Sequence, residues 1–104
     1  MAIQGSITFG NGITLASAYL VVNEVYISYK LNDNYVNVNV LIYKDSTAYT
    51  SGKPEVLALT HKCSDGDFTT YFDESVLTVA GNTSLTQAYD WLKTLSQYSS
   101  WTEV

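Results

Sequence analysis

Not one arginine occurs among the 104 residues, and five lysines stand against ten aspartates and glutamates for a net charge of −5. Nucleic-acid binding draws on clustered Arg and Lys for phosphate contacts, so no nucleic-acid partner is expected. The same absence removes the guanidinium fork, and with it bidentate capture of phosphate or carboxylate ligands. A single cysteine, Cys63, permits no internal disulfide and offers no second thiol to a structural zinc site. The longest unbroken apolar run, Ala18 to Val22, is five residues, far short of a helical membrane span. No basic segment followed by an apolar stretch stands at the N-terminus, so no secretory signal is expected. No internal repeat, low-complexity stretch or linker divides the chain. Residues 1–104, at 11.5 kDa, read as a single domain, enough for one core and too little for two.

What is abundant is the set of residues that suit a pleated, half-buried surface: ten Val, five Ile, twelve Thr, nine Tyr and three Phe. Strands are expected at Ile3–Phe9, Ala16–Asn23 and Val25–Leu31, with Gly10-Asn11-Gly12 as the first turn. In the third, Val25, Ile27, Tyr29 and Leu31 share one face, and Glu24, Tyr26, Ser28 and Lys30 the other. Asn32-Asp33-Asn34 then turns the chain into its clearest pattern. Val36, Val38, Val40 and Ile42 alternate with Asn37, Asn39, Leu41 and Tyr43, a period of two with one dry face and one wet or partner-covered face. Asp45–Pro54 reads as a loop with one helical turn at Ser46–Tyr49. Glu55–Lys62 is a further strand with Leu57 and Leu59 inward. After the turn Ser64-Asp65-Gly66-Asp67, Phe68–Tyr71 and Ser75–Val79 are expected to complete the sheet set.

The period changes near the C-terminus. Leu85, Ala88, Leu92 and Leu95 recur at helical spacing, flanked by Tyr89 and Trp91, and Ser84 with Gln87 reads as a capping box. A helix is expected over about residues 84–98. The fold class that follows is α+β: mostly an antiparallel β-sandwich or barrel, immunoglobulin-like folds included, with one C-terminal α-helix packed on its side.

Few residues point to chemistry. His61 and Cys63 lie two apart on a strand and face the same way, but zinc wants three or four ligands, so a half-buried imidazole beside an apolar thiol is the expectation. Asp65, Asp67, Asp73 and Glu74 cluster around Gly66, yet Phe68 to Phe72 supplies none of the further carboxylates of a calcium loop. His61 is the only base open to a Ser-His-Asp arrangement, and no Gly-x-Ser-x-Gly elbow marks a nucleophile. No catalytic residue, metal or cofactor is therefore expected, and no enzyme. Tyrosine is the remaining anomaly. Nine phenols exceed what a small core needs, and Tyr suits strands, protein interfaces and sugar-binding platforms alike.

The order of landmarks carries a resemblance. Asn11-Gly12-Ile13 leads to Ala18-Tyr19-Leu20, Tyr43-Lys44-Asp45 precedes Gly52-Lys53-Pro54, and the end reads Ala88-Tyr89-x-Trp91-Leu92-Lys93-Thr94-Leu95. Over most of its length the chain resembles the small virion structural proteins of tailed bacteriophages. In these, an N-G…A-Y-x-x-(I/V) opening and an A-Y-x-(Y/W)-L-K-x-L ending bracket a compact β-rich domain. The resemblance implies a non-enzymatic building block of the virion, made in the bacterial host cytoplasm, that assembles as a homo-oligomer with other virion proteins. A tail, baseplate or collar position is the leading expectation, a head decoration protein the next, and a module binding host-surface glycans the alternative of another class. No membrane partner is expected. The contact residues expected are Tyr35, Asn37, Asn39 and Tyr43, with Trp101, which either folds back onto its own helix or meets a neighbour.

Overall fold

The alternation of Val36, Val38, Val40 and Ile42 sets the plane on which the molecule is built. In the computed structural model, which describes residues 1–104, all four side chains are fully buried on one face of strand β3 (Asp33–Tyr43). Strand β2 (Thr14–Lys30) runs antiparallel beside it, with Leu20 opposite Ile42, Val22 opposite Val40, Val25 opposite Val38 and Ile27 opposite Val36. This is one strand of 17 residues, where two were expected. Asn23, which reads as a break, is a bulge: the register shifts between Val22 and Glu24, so Val22 and Val25 both face inward despite their odd spacing. The β2–β3 turn needs only Leu31 and Asn32, and Asn32 takes the left-handed backbone (φ 63°) that an amide side chain tolerates.

On one side β3 pairs with β4 (Leu57–Ser64), which adds Leu57, Leu59, His61 and Cys63 to the inner face. On the other, β2 pairs with β1 (Ile3–Thr8), and β1 with the two-residue β5 (Thr102–Glu103). The result is one open antiparallel sheet of five strands in the order β4-β3-β2-β1-β5.

The α+β class holds, and the second layer is helical: four short helices, rather than a second sheet and one helix, accompany the strands. They are α1 (Ser46–Thr50), α2 (Asp65–Tyr71), α3 (Glu74–Leu77) and α4 (Ser84–Leu92). Phe68–Tyr71 and most of Ser75–Val79 are therefore helix and turn, not strand. Phe68 and Phe72, four apart, both reach the core from one side of the chain, which a strand would also allow. The Phe72 amide bonds the Phe68 carbonyl four residues back at 2.8 Å, the helical pattern, and the next segment, α3, is capped by Asp73, which accepts hydrogen bonds from the Ser75 amide and hydroxyl. At the start of α4 the cap is Thr83 with Thr86, one residue ahead of the expected pair. Gln87 is instead buried, and its Nε2 donates to the Tyr71 carbonyl at 3.1 Å.

Helix α4 ends at Leu92, well short of residue 98. Beyond it the chain tightens into turns of three: the amides of Leu95, Tyr98 and Trp101 bond the carbonyls of Leu92, Leu95 and Tyr98 at 3.1, 3.0 and 3.0 Å. This strap delivers Leu95, Tyr98 and Trp101 to the core, then enters the sheet as β5. Trp101 is only 3% exposed, so it belongs to its own core and is withdrawn from the expected contact residues. It lies over Gly5 of β1, where a Cβ would sit 2.4 Å from the indole Cγ. Only glycine leaves room for the ring.

Gly5→Ala is accordingly expected to destabilise the fold by about 1–3 kcal/mol through overpacking. The same change should cost far less in a Trp101→Ala background, since the two residues share one space. Urea denaturation of the two single variants and the double variant measures this; additive losses would contradict the packing.

Candidate functional site

The period-two pattern that buries one face of the sheet presents the other outward. On β3 that outer face carries Tyr35, Asn37, Asn39, Leu41 and Tyr43, all partly exposed. Four of the five expected contact residues therefore share one surface. Cross-strand register arranges it in rows, each running from β2 through β3 to β4. Val21–Leu41–Ala58 comes first, then Glu24–Asn39–Thr60, Tyr26–Asn37–Lys62 and Ser28–Tyr35–Ser64.

One end of this face is closed. Helix α1, capped by Asp45 whose carboxylate accepts from the Ala48 amide at 2.7 Å, brings Tyr49 against Tyr19 and Tyr43. The ring centroids are 5.3 and 5.0 Å apart. Desolvation, and then the nearby Glu55 carboxylate, raise the Tyr43 phenol above its ordinary pKa. Tyr43 is thus the rim of the open area, with Tyr49 already on it.

Beyond that end the face is open, polar and aromatic. Tyr26 is 54% exposed, with its ring 6.3 Å from Tyr35. The Lys62 ammonium sits 4.9 Å from the Tyr35 ring centroid, within cation–π range. Asn39 Nδ2 donates to the Thr60 hydroxyl at 3.3 Å. Tyr, Ser and Asn together are the composition of adaptable protein-binding surfaces, where rigid phenols supply area and small polar groups supply hydrogen bonds. Tyr26, Lys62 and Glu24 were not singled out from the sequence. Tyr26 and Glu24 lie on the polar side of an alternating segment, but Lys62 joins them only through the β3–β4 register.

The groups that might do covalent chemistry lie elsewhere. His61 faces the inner side, opposite Val38, and its Nε2 is 2.8 Å from the Tyr98 hydroxyl, with the rings edge to face. Burial lowers the His61 pKa and raises that of Tyr98. Cys63 is buried opposite Val36, and burial with the nearby Asp67 carboxylate pushes its thiol up to about 12. The acidic cluster is dispersed into local roles. Asp67 accepts from Trp91 Nε1 at 3.2 Å, and Asp73 caps α3, which holds its carboxyl below the ordinary value. No three His, Cys, Asp or Glu side chains gather as a metal site. Four surface depressions are present, two of them beside α1. A polar cleft of about 440 Å3 lies at the β2–β3 turn between Asp33 and Asp65, and an apolar groove of about 550 Å3 runs between Phe9–Leu15 and Val56–Leu57.

Two outcomes follow from the buried groups. The folded pKa of His61 lies below the unfolded value of about 6.5, so the unfolded chain binds the proton more readily. Stability is then fully present above about pH 6.5 and falls as the pH drops below it. Thermal melts should show a loss between pH 7.5 and 5 that is smaller in His61→Gln; an unchanged loss in the variant would contradict this. The Cys63 thiol, protonated at pH 8, should resist a disulfide exchange reagent in the native protein and react once urea unfolds it. Prompt reaction in the native state would place the thiol elsewhere.

Comparison with protein-family models, with curated proteins and with solved structures finds no match to this chain, so its outer sheet face stands on its own geometry.

Proposed function

We propose that the protein is a non-enzymatic structural subunit of a bacteriophage virion, a tail, baseplate or collar component that works by assembly through the outer face of its sheet. The observation that carries this reading is the one-sided burial. Helices α2 and α4 and the C-terminal strap pack on the inner face, and α1 covers only one end of the outer face. Tyr35, Asn37 and Asn39, with Tyr26 beside them, are left as a broad open area. A sheet with no second layer on one face suits a subunit whose neighbour supplies it.

The chemistry of the interior supports the same reading. The one histidine is engaged with Tyr98, and the one thiol is held protonated among apolar side chains. Neither stands ready as base or nucleophile in a cleft. The resemblance to small virion proteins, carried by the Ala18-Tyr19-Leu20 and Ala88–Leu95 segments, supplies the particle. Both segments serve the scaffold rather than the outer face. Ala18 and Leu20 are fully buried, and the Tyr89 hydroxyl accepts from the Val22 amide at 2.8 Å and donates to the Met1 carbonyl at 2.9 Å.

Asn37→Asp and Asn39→Lys test the reading without disturbing the fold, since Asn37 lies opposite Lys62 and Asn39 opposite Glu24. Each new charge gains an opposite neighbour in the isolated chain, yet must be desolvated when the face is covered. The double variant should keep the wild-type circular dichroism and Tm within a few degrees. Its incorporation into particles, measured by mass spectrometry of purified virions, should fall at least tenfold. Incorporation at the wild-type level would remove this face as the assembly surface.

A further inference from the structure

Gly10-Asn11-Gly12 closes the β1–β2 hairpin as a three-residue loop. The Phe9 amide donates to the Ile13 carbonyl at 2.8 Å, and the Gly12 amide to the Phe9 carbonyl at 2.9 Å. Gly12 takes the left-handed backbone (φ 87°) that completes such a loop. Nothing packs on it. Asn11, Gly12 and Ile13 are exposed, and a Cβ at Gly10 or Gly12 would meet no atom within 4 Å. The strands beneath are thinly supported. From Thr14 to Ala18, β2 has β1 as its only partner strand, because pairing with β3 begins at Tyr19. Two strands without a third are the part of a sheet that opens first.

We propose that Asn11 is a modification site: it loses its side-chain amide to intramolecular attack by the Gly12 nitrogen. The hairpin tip then carries a mixture of aspartyl and isoaspartyl residues. Water and hydroxide are the only co-reactants. Hydroxide takes the Gly12 N–H proton, and the nitrogen forms a bond to Asn11 Cγ. The Cγ–Nδ2 bond breaks, and Nδ2 leaves as ammonia with a proton from water, which restores the hydroxide. The product is a five-membered imide, and one water molecule opens it. Cleavage between Gly12 N and Cγ leaves aspartate; cleavage between Gly12 N and the Asn11 main-chain carbonyl carbon leaves isoaspartate. Nothing is oxidised or reduced, and the chain stays unbroken.

The turn favours this residue in three ways. The Ile13 amide donates to Asn11 Oδ1 at 3.1 Å, a donor on the oxygen where negative charge develops during the attack. Gly12 has no side chain to shield its nitrogen. Exposure admits the water and hydroxide that both steps need. One contact opposes the reaction, since the Gly12 amide must first leave the Phe9 carbonyl. Opening of the unsupported tip supplies that release without global unfolding.

The other six asparagines lack this combination. Asn37 and Asn39 are each followed by valine within β3, and Asn34 by Tyr35 in the same strand. Asn23 stands inside β2 before Glu24. Asn82 precedes Thr83, and its Nδ2 is tied to the Val76 carbonyl at 3.1 Å. Asn32 also lies in an exposed turn, but the residue after it is Asp33, which has a side chain beside the nitrogen and begins β3.

Either product adds one negative charge to a chain that carries −5, at the rim of the apolar groove lined by Phe9, Ile13 and Leu15. The isoaspartyl link also runs the main chain through Cβ and Cγ, one atom longer than the loop is built to hold. The modification is independent of what covers the outer sheet face.

Peptide mapping by mass spectrometry of the native chain, held at 37 °C and pH 8 and sampled over weeks, tests the proposal. The expected result is a gain of about 1 Da at Asn11, at least tenfold faster than at any other asparagine. Part of the product should be isoaspartate, labelled by an isoaspartyl methyltransferase, and the rate should rise with pH as attack by a deprotonated amide requires. Asn11→Gln, which would need a six-membered ring, should slow the change at least tenfold while circular dichroism stays that of the wild type. The same chain in urea reports the reaction freed from the turn. Conversion in urea with none in the native chain overturns the proposal, as does a faster gain at Asn32 or any other asparagine. Conversion of Asn11 to aspartate alone, at a rate indifferent to pH, also overturns it.

Discussion

Everything in this fold depends on a constraint of supply. A sheet that buries Val36, Val38, Val40 and Ile42 on one side needs a second layer, and the residues outside the strands are enough for one face only. Helices α2 and α4 and the strap after Leu92 form that layer, contributing Phe68, Phe72, Ala88, Tyr89, Trp91, Leu92, Tyr98 and Trp101 to one continuous core. The outer face is left polar because nothing within the chain dries it. The surface proposed for assembly is thus a consequence of how the interior was filled.

The layer is pinned to the sheet at three distant points, each where a side chain crosses from the helical side to the strands. Tyr89 reaches the end of β1 and ties the Val22 amide to the Met1 carbonyl. Tyr98 reaches β4 through His61, and Trp101 fills the space above Gly5. These contacts join residues far apart in sequence, so the ends of the chain are held by the middle and β5 can lie beside β1. Buried phenols with both a hydrogen bond and an aromatic or backbone neighbour explain part of the tyrosine content. The remainder divides between the Tyr19–Tyr43–Tyr49 cluster under α1 and the open pair Tyr26 and Tyr35.

Much of this was legible from period alone. The β2–β3 hairpin, the inward Leu57 and Leu59, the helical turn after Asp45 and the amphipathic start of α4 all follow from local pattern. What was not legible has physical causes. Asn23 and Glu24 read as a strand end because a bulge and a break have the same polar signature, and only pairing with β3 tells them apart. Phe68–Tyr71 reads as strand by composition, and it is helix where α4 comes close, with Asp67 accepting from Trp91 Nε1. The strap from Leu92 to Trp101 keeps its apolar residues three apart, a spacing that a helical template absorbs until the hydrogen bonds are seen to be three back rather than four. For the candidate site, Tyr35, Asn37, Asn39 and Tyr43 came from alternation on a single strand. Lys62 required knowledge of which residue of β4 lies opposite Asn37. Trp101 leaves the expected contacts because Gly5, distant in sequence and not a local neighbour, makes its pocket.

The central claim is that the outer face is the one covered in the assembled state, and covalent tyrosine labelling read by mass spectrometry tests it most directly. In the dilute isolated chain, Tyr26 and Tyr35 should label readily while Tyr89 and Tyr98 stay protected by burial. In the assembled particle, the account predicts that Tyr26 and Tyr35 become protected as well, with Tyr29 on the opposite side of β2 unchanged. Labelling of Tyr26 and Tyr35 at the isolated-chain level within the particle would contradict it.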